Sequence, residues 1–445
     1  MERYHVLLGE LGFDSCVAIA ARYVPASGAP LTKETLYPAL HTVVQRHAAL
    51  GVQIAPGADP RAVPKYVCLS EVDLDAAVEF LEDDAASVDE LLQAQLVRPF
   101  AIGTSAPLWR LTVANGRMVV FASHHVIADG QSGPALHAAL LAALNDANTG
   151  LPSNSRVPVL QSTLIHGPTE AYTDISLSWS SLLHELYKVL APKSWLPSAT
   201  AWTGNNIPST PSIAMNVRCW EISAAQTVEI LKRCRENKTT LTAFLHTLLV
   251  GVLSRVLQET RPDEVAECKT INVAVPVSLR RYTGVPPLDL CDQVSTVHLF
   301  SPILPLLDDG KDFSWEATRR FGAELQRNLP SSPELLGEMR MLFRLGIAES
   351  YFRGMLGKKR TSGFALSNLG RFPVAKTIGE KWSLEGVYFA QCDVMRGAAI
   401  KVNIVGSPDG ATNVAFSWGK ASLDEDLANM FIMEMKATLD AMLGL

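Results

Sequence analysis

The chain has 445 residues, more than one hydrophobic core supports, so two domains are the default expectation. Apolar residues make up 48% and charged residues 19%, the balance of an ordinary globular protein, which excludes large-scale disorder. A net charge of -6 and a pI near 6.0 supply no basic field, so nucleic acid is excluded as a partner and a small molecule is favoured.

Early in the chain, LTKETLYPALHTVVQRHAALG sets Leu36, Leu40, Val43 and Val44 on one helical stripe, with Thr32 as N-cap, Gly51 as a stop and Pro38 unsettling the first turn. PLWRLTV (107–113) and MVVFASHH (118–125) read as two strands around Asn115 and Gly116, an antiparallel hairpin. GPALHAALLAALN follows as a helix with Pro134 near its start. From about 150 to 215 proline, serine, threonine and asparagine recur, with a short helix around SLLHELYKVL; a linker is expected there, most sharply over 196–215. The second half restarts with a strand, AMNVRCWEIS, and a helix, AAQTVEILKRCREN. A helix over TTLTAFLHTLLVGVLSRVL follows, capped by Thr239 or Thr240. TINVAVPVSLRR, SGFALSNLG, AAIKVNIVGS and NVAFSWGK read as strands. In the last helix Ser422 and Glu425 stand at capping-box spacing, and Leu427, Phe431, Met435 and Leu439 form a stripe. Strands and helices alternate in both halves, which predicts α/β or α+β layers in units 1–195 and 216–445.

The seven cysteines include no C-x-x-C pair, and an odd number cannot all be bridged within the chain, so reduced thiols are expected. MERYHVLLGELGFD holds Glu2, Arg3 and Glu10 and lacks the apolar stretch of a signal peptide, so a cytoplasmic location is expected. Leu241–Leu253 is shorter than the ~20 residues of a membrane span and contains His246; it reads as a buried helix.

FASHHVIADG (121–130) is the stretch with chemistry in it. Adjacent histidines on a strand point to opposite faces, so His124 and His125 would not chelate one ion, and no HExxH helix or cysteine pair supplies further ligands; no metal is expected. GQSG (130–133) lacks the G-x-S-x-G spacing of a nucleophile elbow. A third reading is a lone general base: an imidazole titrates near neutrality and can take a proton from a hydroxyl or amine as it attacks an acyl carbon; the alternative is that one or both histidines are ordinary hydrogen-bonded core residues. A thioester donor needs little acid help, because its leaving thiol has a pKa of about 8.5. Periodicity alone does not say which histidine faces inward. Gly130 suits close backbone approach or positive φ.

HHVIADG fits the HHxxxDG signature and resembles the superfamily of condensation domains, plant-type acyltransferases, alcohol acetyltransferases and chloramphenicol acetyltransferase. LYPALHTVVQRHAAL, PLWRLTV, LKRCRENKTTLTAFLHTLL, INVAVPVSLRR and FALSNLG extend the likeness over most of the chain and look most like the alcohol acetyltransferase branch; the DFGWG segment of plant-type members is replaced by SNLG. The resemblance implies two chloramphenicol acetyltransferase-like domains, each a mixed sheet flanked by helices, with a tunnel at their interface. It implies His125 as general base and His124 as a structural neighbour. Asp129 would pair with an arginine, Arg280 or, failing that, Arg281, and hold the motif loop. Ser367 and Asn368 are the oxyanion candidates, and the basic run Lys358, Lys359 and Arg360 is the candidate for the phosphates of coenzyme A. The expected reaction moves an acyl group, such as acetyl, from acyl-CoA as co-substrate to a hydroxyl of a small apolar acceptor, with no tightly bound cofactor and a monomeric protein. The alternatives are a condensation-type enzyme fed by a carrier protein, with an amine as acceptor, and a non-catalytic binding protein of the same fold.

Overall fold

The computed structural model describes residues 2–13, 16–55, 64–82, 86–146, 153–160, 165–192, 195–304, 313–374, 379–393 and 397–444, without the side chains of 184, 185, 188 and 189. Two mixed sheets organise it. In the first the strand order is Trp382–Gln391, Cys16–Pro25, Met118–His124, Trp109–Ala114, Val78–Leu81, antiparallel except for the last pair. In the second it is Met215–Ile222, Thr412–Gly419, Ala398–Gly406, Ser362–Asn368, Thr270–Ser278, Val294–Pro302, with Ala201–Trp202 also paired to Thr270–Ser278. The strands around Ser362–Asn368 run parallel to it and the outer pairs are antiparallel.

The predicted hairpin is present, and its turn is made by Asn115 and Gly116 at φ 54° and 57°, the left-handed pair that matches strand twist. Thr32 caps the helix Lys33–Arg46, which runs through Pro38, and Thr240 caps Leu241–Thr260. The latter is apolar enough to span a bilayer by length and composition, but most of it lies inside the fold between Phe321 and the strands of the second sheet. At the last helix, Glu425–Leu443, the sequence expectation fails: the N-cap is Asp424, because Ser422 Oγ instead donates to the carbonyls of Ala399 and Gly419 at 2.8 Å. Its stripe of Leu427, Phe431, Met435 and Leu439 is buried as expected, each side chain contributing about 1.5–3 kcal/mol.

Strands Cys16–Pro25, Val294–Pro302 and Trp382–Gln391 were not expected. Nine of the ten residues of Cys16–Pro25 are apolar or alanine and only Arg22 is exposed, so a strand covered on both faces shows no alternation to read. Trp382–Gln391 pairs with it, so the second half of the chain lends an edge strand to the first sheet. Helices Lys33–Arg46 and Ser132–Asn145 cover that sheet, and Leu241–Thr260, Trp315–Asn328 and Glu425–Leu443 cover the other. The histidine motif lies between the central strand Met118–His124 and the helix Ser132–Asn145.

Candidate active site

Strand geometry separates the two histidines. His124 ends the strand, is 2% exposed, and its Nδ1 accepts the Val126 N–H at 3.1 Å. Burial first, then the neighbouring His5 and His125, push its pKa down to about 3, so it is neutral. His125, one residue beyond the strand, keeps 15% of its side chain exposed and sets Nδ1 3.4 Å from Asp292 Oδ1.

Asp129 does not touch His125's ring nitrogens; it ties the loop. Arg280 Nη1 donates to its Oδ2 at 2.6 Å, the Gln293 N–H donates to the same oxygen at 3.2 Å, and the N–H and hydroxyl of Ser132 donate to Oδ1 at 3.1 and 3.0 Å. Arg280 Nη2 also donates to the Asp289 carbonyl at 3.0 Å, and the Asp129 N–H donates to the Cys291 carbonyl at 3.0 Å. The two main-chain bonds, at 291 and 293, bracket residue 292 and deliver its carboxylate to His125. Sequence reading missed Asp292: it lies in a proline-rich loop, VPPLDLCDQV, with no periodicity to give it an address.

A second unforeseen residue completes the cluster. His5, on the helix Glu2–Glu10, stacks on His125 with ring centroids 4.3 Å apart and planes 8° apart, and its Nε2 lies 3.4 Å from Asp292 Oδ2. Burial would raise the Asp292 pKa, but His125 and His5 outweigh it and hold the carboxyl ionised, well below its usual range. Burial would lower the His125 pKa, and Asp292 outweighs that, leaving it raised. His5 is pushed down to about 4, by burial and then by His125. The ligand atoms of His5, His125 and Asp292 all lie within 4.8 Å of one another. Imidazole lone pairs lie in the ring plane, and two parallel stacked planes do not converge on one ion, so chelation by both rings requires one to rotate.

A small cleft adjoins the cluster, lined by Glu2, Tyr66, Val126, His166, Asp292 and Gln293 among others. Gly130 meets the SNLG segment: an added Cβ there would stand 2.9 Å from Leu369 Cδ2, and Gln131 Nε2 donates to the Leu369 carbonyl at 3.1 Å. Close approach, rather than positive φ, is what requires glycine at 130. Of the oxyanion candidates, Ser367 is buried, whereas Asn368 has its amide committed, Nδ2 donating to Thr242 Oγ1 and Oδ1 accepting the Gly370 N–H. Of the basic run, Lys358 and Lys359 are exposed and Lys359 Nζ donates to the Ala199 carbonyl. Arg360 is a correction: it is 4% exposed and paired with Asp393 at 3.2 Å, so it is withdrawn from any phosphate in solvent. Arg281 is exposed, with its guanidinium over Tyr282 rather than beside Asp129.

The profile of the alcohol acetyltransferase family matches residues 1–439. The probable alcohol acetyltransferase FCK4 of Fusarium pseudograminearum is 26% identical over 390 residues, 82% of this chain and 77% of that protein. The probable alcohol acetyltransferase crmB of Aspergillus fumigatus is 24% identical over 465 residues, 96% and 95% of the two chains. Among solved structures, the TRI3 trichothecene 15-O-acetyltransferase of Fusarium sporotrichioides superposes with a TM-score of 0.68 at 14% identity, over 98% of this chain and 93% of that one. The condensation domain of the Monacolin K polyketide synthase MokA superposes with a TM-score of 0.61 at 12% identity, over 99% and 96%. These structural likenesses establish the fold, two chloramphenicol acetyltransferase-like mixed-sheet domains. Together with the profile match along nearly the whole chain, they show that this protein belongs to the alcohol acetyltransferase family and is an acyltransferase.

Proposed function

We propose that this enzyme transfers an acyl group, acetyl in the simplest case, from acyl-coenzyme A to the hydroxyl of a small apolar acceptor, with His125 as the general base. The observation that supports this best is the setting of His125: Nδ1 is turned to the buried carboxylate of Asp292, while part of the ring stays open. With the proton on Nδ1, Nε2 holds the free lone pair. It takes the proton of the acceptor hydroxyl as the oxygen attacks the thioester carbonyl, and Asp292 stabilises the imidazolium that forms. The tetrahedral intermediate then collapses, the carbon–sulfur bond breaks, and the coenzyme A thiolate recovers the proton from His125. No bond to the enzyme forms. Ser367 is the remaining side-chain candidate for the oxyanion, and Lys358 and Lys359 for the phosphates.

This reading treats 1–195 and 216–445 as two acyltransferase-like halves joined through 196–215, donor and acceptor entering between them from opposite sides. Cys68, Cys219, Cys234, Cys268 and Cys291 are free thiols, in keeping with a reducing compartment and our assignment to the cytoplasm. The test is incubation with acetyl-CoA and a panel of alcohols and amines, following thiol release, with His125→Ala in parallel. Acceptor-dependent release that the variant loses supports the reading. Transfer from a loaded carrier protein, with none from any soluble thioester, would replace it with the condensation-type reaction.

A further inference from the structure

The base is approached from both halves of the fold. Tyr4, Leu7 and Leu8 of the helix Glu2–Glu10 pack with Met339, Ala348 and Phe352 of the second half, and from that anchorage the same helix presents His5 to His125 in the first half. Two other buried histidines show what an ordinary core imidazole looks like here. His137 lies between Tyr23 Oη at 3.0 Å and the Ile19 carbonyl at 3.2 Å, and His246 lies 2.9 Å from Ser301 Oγ, all neutral partners. His5 instead meets a carboxylate, and that carboxylate also serves the catalytic ring: Oδ2 faces His5 and Oδ1 faces His125, each at 3.4 Å.

We propose that the base is a three-residue unit, His125–Asp292–His5, in which His5 is a positioning residue that holds the plane of the catalytic ring and takes up one of the two oxygens that stabilise it. The proposal rests on the acyltransfer reading above. A flat ring stacked at 4.3 Å stops His125 from rotating away from Asp292, so Nε2 keeps one direction. The two rings share a single negative charge, and two imidazolium rings at this separation would repel. Burial keeps His5 the neutral member, its pKa at about 4, and with its proton on Nε2 it donates toward Oδ2.

The surroundings leave Asp292 as the carboxylate in contact with both rings. Asp129 is paired with Arg280, and His124 is neutral. Burial holds the Tyr66 phenol and the Cys291 thiol protonated, and it raises the pKa of Glu2. Removing the His5 donor therefore concentrates the Asp292 charge on His125 and makes that ring harder to deprotonate.

The test compares His5→Phe, which keeps a stacking ring without a donor, with His5→Gln, which restores a donor without the ring. In His5→Phe the acid limb of the kcat/KM profile is expected to move up by about half a pH unit or more, and kcat to fall about three- to tenfold at neutral pH with the donor KM little changed. His5→Gln should return the limb toward its wild-type position. Titration of nitrogen-15-labelled histidines by NMR reads the His125 proton directly, with or without turnover. A wild-type protein without transferase activity therefore sinks the acyltransfer reading while the titration still decides this one. A His5→Phe protein whose His125 titrates as in wild type, with any loss confined to thermal stability, overturns the proposal. So does one tightly held zinc ion per chain in the purified wild type that is absent from His5→Phe, which would make the cluster a metal centre.

Discussion

Replacing Asp292 by asparagine tests the site at the contact between the proposed base, His125, and the carboxylate that faces it. Asp292 Oδ1 is 3.4 Å from His125 Nδ1, and the carboxylate side chain is fully shielded from water. At an effective dielectric constant near 20, a full charge pair at that distance is worth roughly 5 kcal/mol, an upper bound on what the carboxylate lends the imidazolium. The raised pKa of His125 depends on Asp292 outweighing burial, so removing the charge lets burial win and lowers it. As the proposed base His125 must be neutral to act, so wild-type activity should be lost as the pH falls through a value above 6.5. In Asp292→Asn that limb should move to lower pH by about one unit or more. The rate should nevertheless collapse. An amide can donate to Nδ1 and drive the ring proton to Nε2, where the acceptor hydroxyl must be received, a reversal expected to cost about a thousandfold or more in kcat. Initial rates of thiol release from acetyl-CoA between pH 5 and 10 measure both effects. An Asp292→Asn enzyme within about threefold of wild type, with the acid limb unmoved, would refute the argument that this carboxylate orients and charges the base. Stability offers a second reading: the two imidazoles at 3.4 Å hold this carboxyl ionised against burial, so its charge stabilises the fold at neutral pH and the variant should be less stable than wild type under urea.

Asp129→Ala should also destabilise, since it strands the 7%-exposed Arg280 guanidinium and the N–H groups of Ser132 and Gln293; a loss of about 3–5 kcal/mol is expected from urea denaturation, and a change within about 1 kcal/mol would show that the loop does not depend on this pair. Acid should unfold the protein through its buried histidines. His5 and His137 have pKa values lowered to about 4, and His124 and His246 to about 3, with burial the leading cause. Because the unfolded chain binds these protons near pH 6.5 and the folded one does not, the stability they provide is complete above that value and is lost as the pH falls toward 4, about 1–2 kcal/mol each by pH 5. A urea midpoint unchanged between pH 7 and 5 would contradict this. Gly133→Ala should destabilise more than Gly130→Ala: its added Cβ would fall 1.8 Å from Ile19 Cδ1 and 2.6 Å from Cγ1 under the helix Ser132–Asn145, whereas at 130 the nearest atom, at 2.9 Å, is the mobile tip of Leu369. Thermal melts should separate the two by about 1–2 kcal/mol, and equal melting temperatures would show that the helix can lift off the strand.

Local rules account for what was legible. A two-residue turn with Asn115 and Gly116 needs nothing beyond its own backbone preferences, and the helical stripes at Leu36–Val44 and Leu427–Leu439 need only one apolar face. His124 and His125 differ because a strand has period two, although which of them faces inward depends on what packs above each. The motif and its distant companions were likewise readable as residues in order along the chain, and so was Arg280 as the named partner of Asp129.

Order along the chain does not state which loops meet. Asp292 lies 167 positions after His125 and His5 lies 120 before it, and neither has a spacing rule that would couple it to the motif. They converge because main-chain bonds at 291 and 293 clasp the Asp129 loop, and because the helix Glu2–Glu10 has apolar residues that fit the second half of the fold. The same physics withdrew Arg360 from the surface, since a basic residue flanked by exposed lysines gives no warning that Asp393 waits beneath it. The sequence alone was enough for the helical and strand faces, the turn, the family and the histidine pair from which the resemblance singles out His125. Only the tertiary structure decided which carboxylate and which second ring surround that imidazole, because burial and charge pairing act on distance in space.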